Sequence, residues 1–186
     1  MFCPYMRLMA LRFQFDERKG TEALAFVANR WPNITVFYAS KVLFFAEKAH
    51  LNRYGRPIVA DTFVAMPNGP VPSTLYDFIK GNLGLSGDPD AFKAAIDVSQ
   101  YPRLAGKREA SDDALSESDR DCLDEAIAFC KTKSFGYLSQ LTHQEKSWAE
   151  AASNGPMDYE KFIDDANPHR EAIIEDAQAF AAYGVL

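Results

Sequence analysis

From Val36 to His50 the chain places Val36, Phe37, Val42, Leu43, Phe44 and Phe45 around most of the circumference of a helix, and no other stretch constrains the fold as tightly. A helix that is apolar on nearly every side is stable only when other elements cover nearly every side. Burying each large side chain contributes about 1.5–3 kcal/mol, so this helix is expected to form the centre of the fold. Thr35 is placed to cap its start. Gly55 is suited to the left-handed residue just past its end, and Pro57 prevents it from resuming.

The other segments read as shorter elements arranged around it. Asp16 to Arg30 is a first helix, closed by Trp31-Pro32 because a residue before proline is pushed out of the helical region. Residues 58–66 are rich in β-branched and aromatic side chains and read as a strand. Pro67, Asn68, Gly69, Pro70 and Pro72 then make a rigid loop. Ser73 is expected to cap a short helix through Lys80, and a loop with Gly81, Gly84 and Gly87 precedes a helix near Ala91–Ile96 opened by Asp88-Pro89. Asp97 to Ala110, interrupted by Pro102 and Gly106, reads as two short edge strands, a hairpin set against the 58–66 strand. Ser116 and Asp119 form a capping-box pattern ahead of Leu123, Ile127 and Cys130. Ser134 and Asp158 cap further short helices, and a last helix, Pro168 to Tyr183, buries Ile173, Ile174, Ala177 and Phe180. The expected class is α+β: a predominantly helical single domain over residues 1–186 with a small antiparallel sheet or hairpin, preceded within it by an extension over residues 1–15.

Charge and composition exclude several functions. The net charge of −6 disfavours a protein whose main task is to wrap duplex nucleic acid, although residues 1–87 carry ten Lys/Arg against six Asp/Glu and residues 88–186 ten against twenty. The acidic residues crowded around 112–125 are expected to face solvent or a basic partner surface. Cys3, Cys122 and Cys130 have no paired metal-type spacing, so neither a disulfide framework nor a cysteine zinc site is expected, and a reducing cytoplasm fits best. Arg7 and Arg12 interrupt the apolar start, leaving no signal core or membrane span. Glu47 and His50 have the three-residue spacing of a di-iron helix, but such a centre needs the motif twice and it occurs once. His143 and Glu145 lie near Ser139 and Ser147, yet neither serine sits in a Gly-x-Ser-x-Gly frame, and both phosphate-binding glycine motifs are absent. Arg53 and Arg56 beside Tyr54 read as charges complementing a helix C-terminus rather than as phosphate ligands. No catalytic residue, metal or cofactor is expected.

The run Lys41-Val42-Leu43-Phe44-Phe45-Ala46-Glu47-Lys48-Ala49-His50-Leu51, then Tyr54-Gly55-Arg56-Pro57-Ile58, then Asp61-Thr62-Phe63-Val64-Ala65-Met66-Pro67-Asn68-Gly69-Pro70-Val71-Pro72-Ser73 resembles the Panacea antitoxin-domain family. Leu138-Ser139, Leu141-Thr142-His143 and Trp148 resemble its second signature, and the likeness spans about residues 20–152. The resemblance implies a bacterial or phage-borne antitoxin that neutralises a cognate toxin protein, usually encoded next door, by binding it directly. In one member of the family, binding also presents the toxin to the ClpXP protease. Tyr54, Arg56, Asn68, Pro70, Val71 and Trp148 are the candidate partner contacts, because a proline-restricted loop loses little entropy on binding and Tyr, Arg and Trp often anchor interfaces. Gly55, Pro57, Asp61, Gly69, Pro72 and His143 are expected to hold the motif in shape, with Asp61 pairing to Arg56 or Lys41. Two alternatives stand beside this reading: a small metal-dependent or hydrolytic enzyme using His143 and Glu145, and a regulator that binds the DNA of its own operon through the basic front half. No membrane partner is expected.

Overall fold

The computed structural model describes residues 11–82 and 88–183. Cys3 and the extension up to residue 10, and Gly84 and Gly87 of the glycine loop, lie outside the described residues. Asp16 caps α1 (Glu17–Arg30) by accepting a hydrogen bond from the Lys19 amide. A two-residue strand β1 (Ile34–Thr35) leads into α2 (Val36–Tyr54), which Thr35 caps and which ends at Gly55 with φ 70°, the left-handed conformation that glycine adopts without strain. Next come β2 (Phe63–Met66), β3 (Gly69–Pro72), α3 (Ser73–Ile79), α4 (Pro89–Ala95), β4 (Ile96–Asp97) and β5 (Arg103–Gly106). Ser116 and Asp119 form the capping box of α5 (Glu117–Lys131), and Ser134 caps α6 (Phe135–His143). The chain closes with α7 (Lys146–Ala149), a 3-10 turn at Tyr159–Phe162 capped by Asp158, and α8 (Arg170–Tyr183).

α2 is the centre. Val42, Leu43, Phe44, Ala46 and Leu51 are buried in one cluster with residues of α1, α3, α5, both hairpins and the 3-10 turn. Phe44 packs edge-on against Phe63 of β2 and Phe162 of the 3-10 turn, at centroid distances of 5.9 and 5.2 Å. Along α5, Cys122, Leu123, Ala126, Ile127 and Cys130 turn inward, and both thiols are buried and free. The fold is therefore mostly helical α+β, as its periodicities imply.

Three local expectations are corrected. The strand read over 58–66 exists only from Phe63 to Met66, and the proline-rich loop is a two-residue turn, Pro67-Asn68, followed by β3, which pairs antiparallel with β2 from Phe63↔Pro72 to Met66↔Gly69. The hairpin of β4 and β5 does not pair with that strand. Its β5 lies against β1, with Ile34 opposite Leu104, and the two sheets share no strand. Ser73 does not cap α3: Pro72 holds the cap position without a side-chain bond, and a carboxylate from further back, described below, takes the free amides.

Candidate functional site

The turn after α2 is built around one carboxylate. Glu47 Oε2 accepts hydrogen bonds from the amides of Ile58 and Val59 at 2.8 and 3.0 Å, and Oε1 accepts from the Ala60 amide at 2.8 Å. The last of the three, Ala60, takes a left-handed φ of 57°, a conformation that costs a non-glycine residue about 1 kcal/mol or more. These three amides are thus unavailable for strand pairing, so residues 58–60 form no strand. Tyr159 Oη lies 2.8 Å from both Glu47 Oε1 and the Asp61 carbonyl. Burial pushes the Glu47 carboxyl up, against the opposing pull of the three amides and of Tyr159.

Asp61 continues the frame. It pairs with neither Arg56 nor Lys41. Its two oxygens accept from the amides of Thr74 and Leu75 at 3.0 and 2.9 Å, capping α3 across the hairpin and tying both of the hairpin's ends to one side chain. Burial raises its carboxyl while those amides lower it.

The two motif blocks meet at the hairpin. Lys41, 1% exposed, donates to the Pro70 carbonyl at 3.0 Å and lies 4.8 Å from the centre of the Phe37 ring. Burial pulls its ammonium down from 10.5 to about 7. Gly69, at φ 100°, approaches so closely that a Cβ there would collide with Thr142 Oγ1 and Lys41 Nζ. Trp148 donates its indole N–H to the Met66 carbonyl at 3.1 Å and stacks on His143 at 3.9 Å. α6 and α7 thereby clamp the far side of the hairpin against α2.

At the other end of α2 the polar residues join α5. Buried Asp119 is 3.1 Å from both His50 Nε2 and Arg56 Nη1, and 3.2 Å from Lys19 Nζ. Burial works to raise its carboxyl, but Lys19, the Ser116 amide and Arg56 together hold it below the usual range. His50 donates through Nδ1 to the Arg56 carbonyl at 2.8 Å, and burial lowers its imidazole. Arg53 makes a two-pronged pair with Glu125 at 2.9 and 2.6 Å. Arg53 and Arg56 therefore bind α5 rather than merely complementing the end of α2. Much of the acidic 112–125 region is matched internally as well: Asp112 by Arg120, Asp113 by Arg18 and Asp124 by Arg30.

The candidate contacts do not form a single patch. Asn68 is exposed at the hairpin turn, Val71 and Trp148 are half-buried beside it, and Pro70 is buried. Tyr54 and Arg56 sit at the far end of α2, about 20 Å away along the helix axis at 1.5 Å per residue. Tyr54 is half exposed, with its ring 4.6 Å from that of His50. Gly55 and Pro57 shape the helix exit, and Pro72 is buried at the end of β3. Glu145 is bound to Lys48 at 2.6 Å, His143 is covered by Trp148, and Glu47 and His50 serve separate networks. Among the described residues no group of three or more His, Cys, Asp or Glu is placed to hold a metal, and no helix is long and apolar enough to cross a membrane.

Sequence reasoning missed the exposed rings. Phe129, Phe135 and Tyr137, at 36%, 48% and 48% exposure, crowd the passage from α5 to α6. They follow no apolar period, so their only signal was a cluster of aromatic residues around a helix cap.

A hairpin clasped between a central helix and two short helices, within a mostly helical α+β fold, is the class of domain to which the motif blocks point: an antitoxin-like domain. Residues 40–149, more than half of the chain, match the family described as Antitoxin SocA-like, Panacea domain, and the chain belongs to that family. No curated protein and no solved structure matches it.

Proposed function

We propose that this chain, acting as one domain in the cytoplasm, neutralises a cognate toxin by binding it directly and without chemistry of its own. Membership in an antitoxin family supports the reading. The observation that carries it is how the reactive side chains are used. Glu47, Asp61, His50, Asp119 and Glu145 are each committed to backbone amides or internal partners, while large rings and the hairpin turn are left facing outward. A surface of this kind recognises a polypeptide.

The test is co-expression with the toxic protein encoded next to this chain. Restored growth, together with co-purification of the two chains, is the expected result. Growth arrest that persists at equal expression, with no complex on a sizing column, overturns the reading. Delivery of the bound toxin to ClpXP is a further proposed step with its own readout, since the toxin's half-life should then shorten only when both this chain and an active ClpXP are present.

A further inference from the structure

Most basic residues near α5 are paired with carboxylates, as Arg30 is with Asp124 and Arg53 with Glu125. Lys131 and Lys133 are exceptions. Neither forms an ion pair among the described residues. Lys131 Nζ donates to the Arg30 carbonyl and lies 5.6 Å from the Trp31 ring, while Lys133 Nζ lies 5.4 and 5.2 Å from the rings of Phe129 and Tyr137. Phe135 packs on Phe37 at 4.1 Å, which links these exposed rings to the side of α2 that also holds the hairpin through Lys41. Charge at the end of a helix can complement its dipole, and that accounts for two lysines near the C-terminus of α5. It does not account for three large rings left between a third and a half exposed around them. On a chain of net charge −6, a cationic face paved with rings is the exception that needs a partner.

We infer that this ring-and-lysine face, where α5 passes into α6, receives an acidic segment of the partner protein that also carries apolar side chains; the inference rests on direct toxin binding as the function. Positive charge unmatched among the described residues fits carboxylates on the partner, and the rings supply the apolar area that charge alone lacks. Nucleic acid fits less well. The Phe37 and Phe135 rings are packed on each other rather than free to stack on bases, and the chain as a whole carries a net charge of −6.

The experiment compares wild type, a Phe135→Ser/Tyr137→Ser variant and a Lys131→Glu/Lys133→Glu variant for affinity toward the toxin encoded next to this chain. Lys80→Glu/Tyr101→Ser is the matched control, because Lys80 also sits over an exposed ring, 4.5 Å from Tyr101, but the pair joins the end of α3 to the turn before β5 and includes no residue of α5 or α6. Phe135 also packs on Phe37 and the two lysines complement the end of α5, so a thermal melt of each variant accompanies the binding measurement and affinities are compared at a temperature where all four proteins are folded. The expected result is a loss of about tenfold or more in affinity for both test variants and none for the control. Wild-type affinity should weaken between about 0.1 and 0.5 M salt, and that dependence should flatten in the lysine variant. Toxin binding that survives both test variants overturns this docking surface and leaves the antitoxin reading standing, whereas a wild type that never binds the toxin overturns both. If the same substitutions instead abolish binding of operon DNA, or dissolve a homodimer, while toxin binding persists, the face belongs to nucleic acid or to a second copy and the inference fails.

Discussion

Replacing Lys41 with methionine tests whether the amine beneath the hairpin is dry. The Pro70 carbonyl at 3.0 Å and the face of Phe37 favour the cation, but neither supplies a full negative charge against the burial that brings the ammonium from 10.5 to about 7. Between those two values the unfolded chain holds a proton on this side chain that the folded chain has released. Folding stability from Lys41 therefore rises with pH across the window, by up to about 1.36 kcal/mol per pH unit. The penalty is complete below pH about 7, where it approaches roughly 5 kcal/mol, and is gone above 10.5. Methionine has a similar unbranched shape and removes the titration. It also leaves the Pro70 carbonyl without its donor, an offset of about 1–3 kcal/mol that does not vary with pH. Urea unfolding of both proteins from about pH 7 to about pH 9.5 should give a stability gap that shifts steadily in favour of the lysine protein, by roughly half a molar or more in midpoint per unit. Titrations of the unfolded chain elsewhere cancel in the difference, and in the folded chain the Cys130 thiol, pushed up to about 12 by burial, stays protonated over this range. A gap of constant size would mean that the amine keeps its ordinary proton affinity in the fold, and the desolvation argument would be wrong.

Three further substitutions probe the frame around the hairpin. Glu47→Gln must turn an amide N–H toward at least one of the backbone donors that now converge on the carboxylate, so it should lower stability by about 1–3 kcal/mol, seen as a fall in melting temperature; an unchanged melt would refute the convergence. Asp61→Asn keeps one acceptor where two amides need one each, and should cost about 1–2 kcal/mol with faster hydrogen exchange at Thr74 or Leu75. Slow exchange at both amides in that variant counts against the cap. Gly69→Ala combines a left-handed φ of 100° with a collision against Thr142 and Lys41, and a loss of about 2 kcal/mol or more is expected in chemical denaturation. Wild-type stability there would mean that the hairpin stands farther from α6 than described.

The helices were legible because their ends are set by short-range chemistry. Asp16, Thr35, Ser116, Ser134 and Asp158 each bond an amide two or three residues ahead, and a reader of the sequence needs nothing else to place them. The segment after Pro57 was not legible for the opposite reason. Ile58 and Val59 have strand propensity, but Glu47, on the preceding helix, takes the amides that pairing would require. The start of α3 misled in the same way: Ser73 stands at a plausible cap position, and Asp61, twelve residues earlier, does the capping. β5 pairs with β1 across the whole of α2, a choice made by packing and not by any local pattern.

For the candidate site the division runs between frame and face. Lys41, Glu47, Asp61 and Gly69 belong to the motif that made the family recognisable, and each is buried with an internal partner or a close neighbour. A substitution at any of them disturbs how the hairpin is held before it can disturb a contact with a toxin, so lost binding in such a variant identifies an interface only when its stability is unchanged. Phe135, Tyr137 and Lys133 present the reverse case. Their rings and charge stand largely outside the core, and removing them leaves the buried cluster intact. The motif thus reports the scaffold that carries the hairpin, and the proposed docking surface lies in side chains outside the buried cluster. If that surface sets specificity, two Panacea domains with the same frame would take different toxins by changing the rings and charges at the α5–α6 passage alone. Transplanting Phe129, Lys131, Lys133, Phe135 and Tyr137 into a family member that does not protect against this chain's toxin should transfer protection, and a transplant that folds, melts normally and still fails to protect would place specificity elsewhere on the frame.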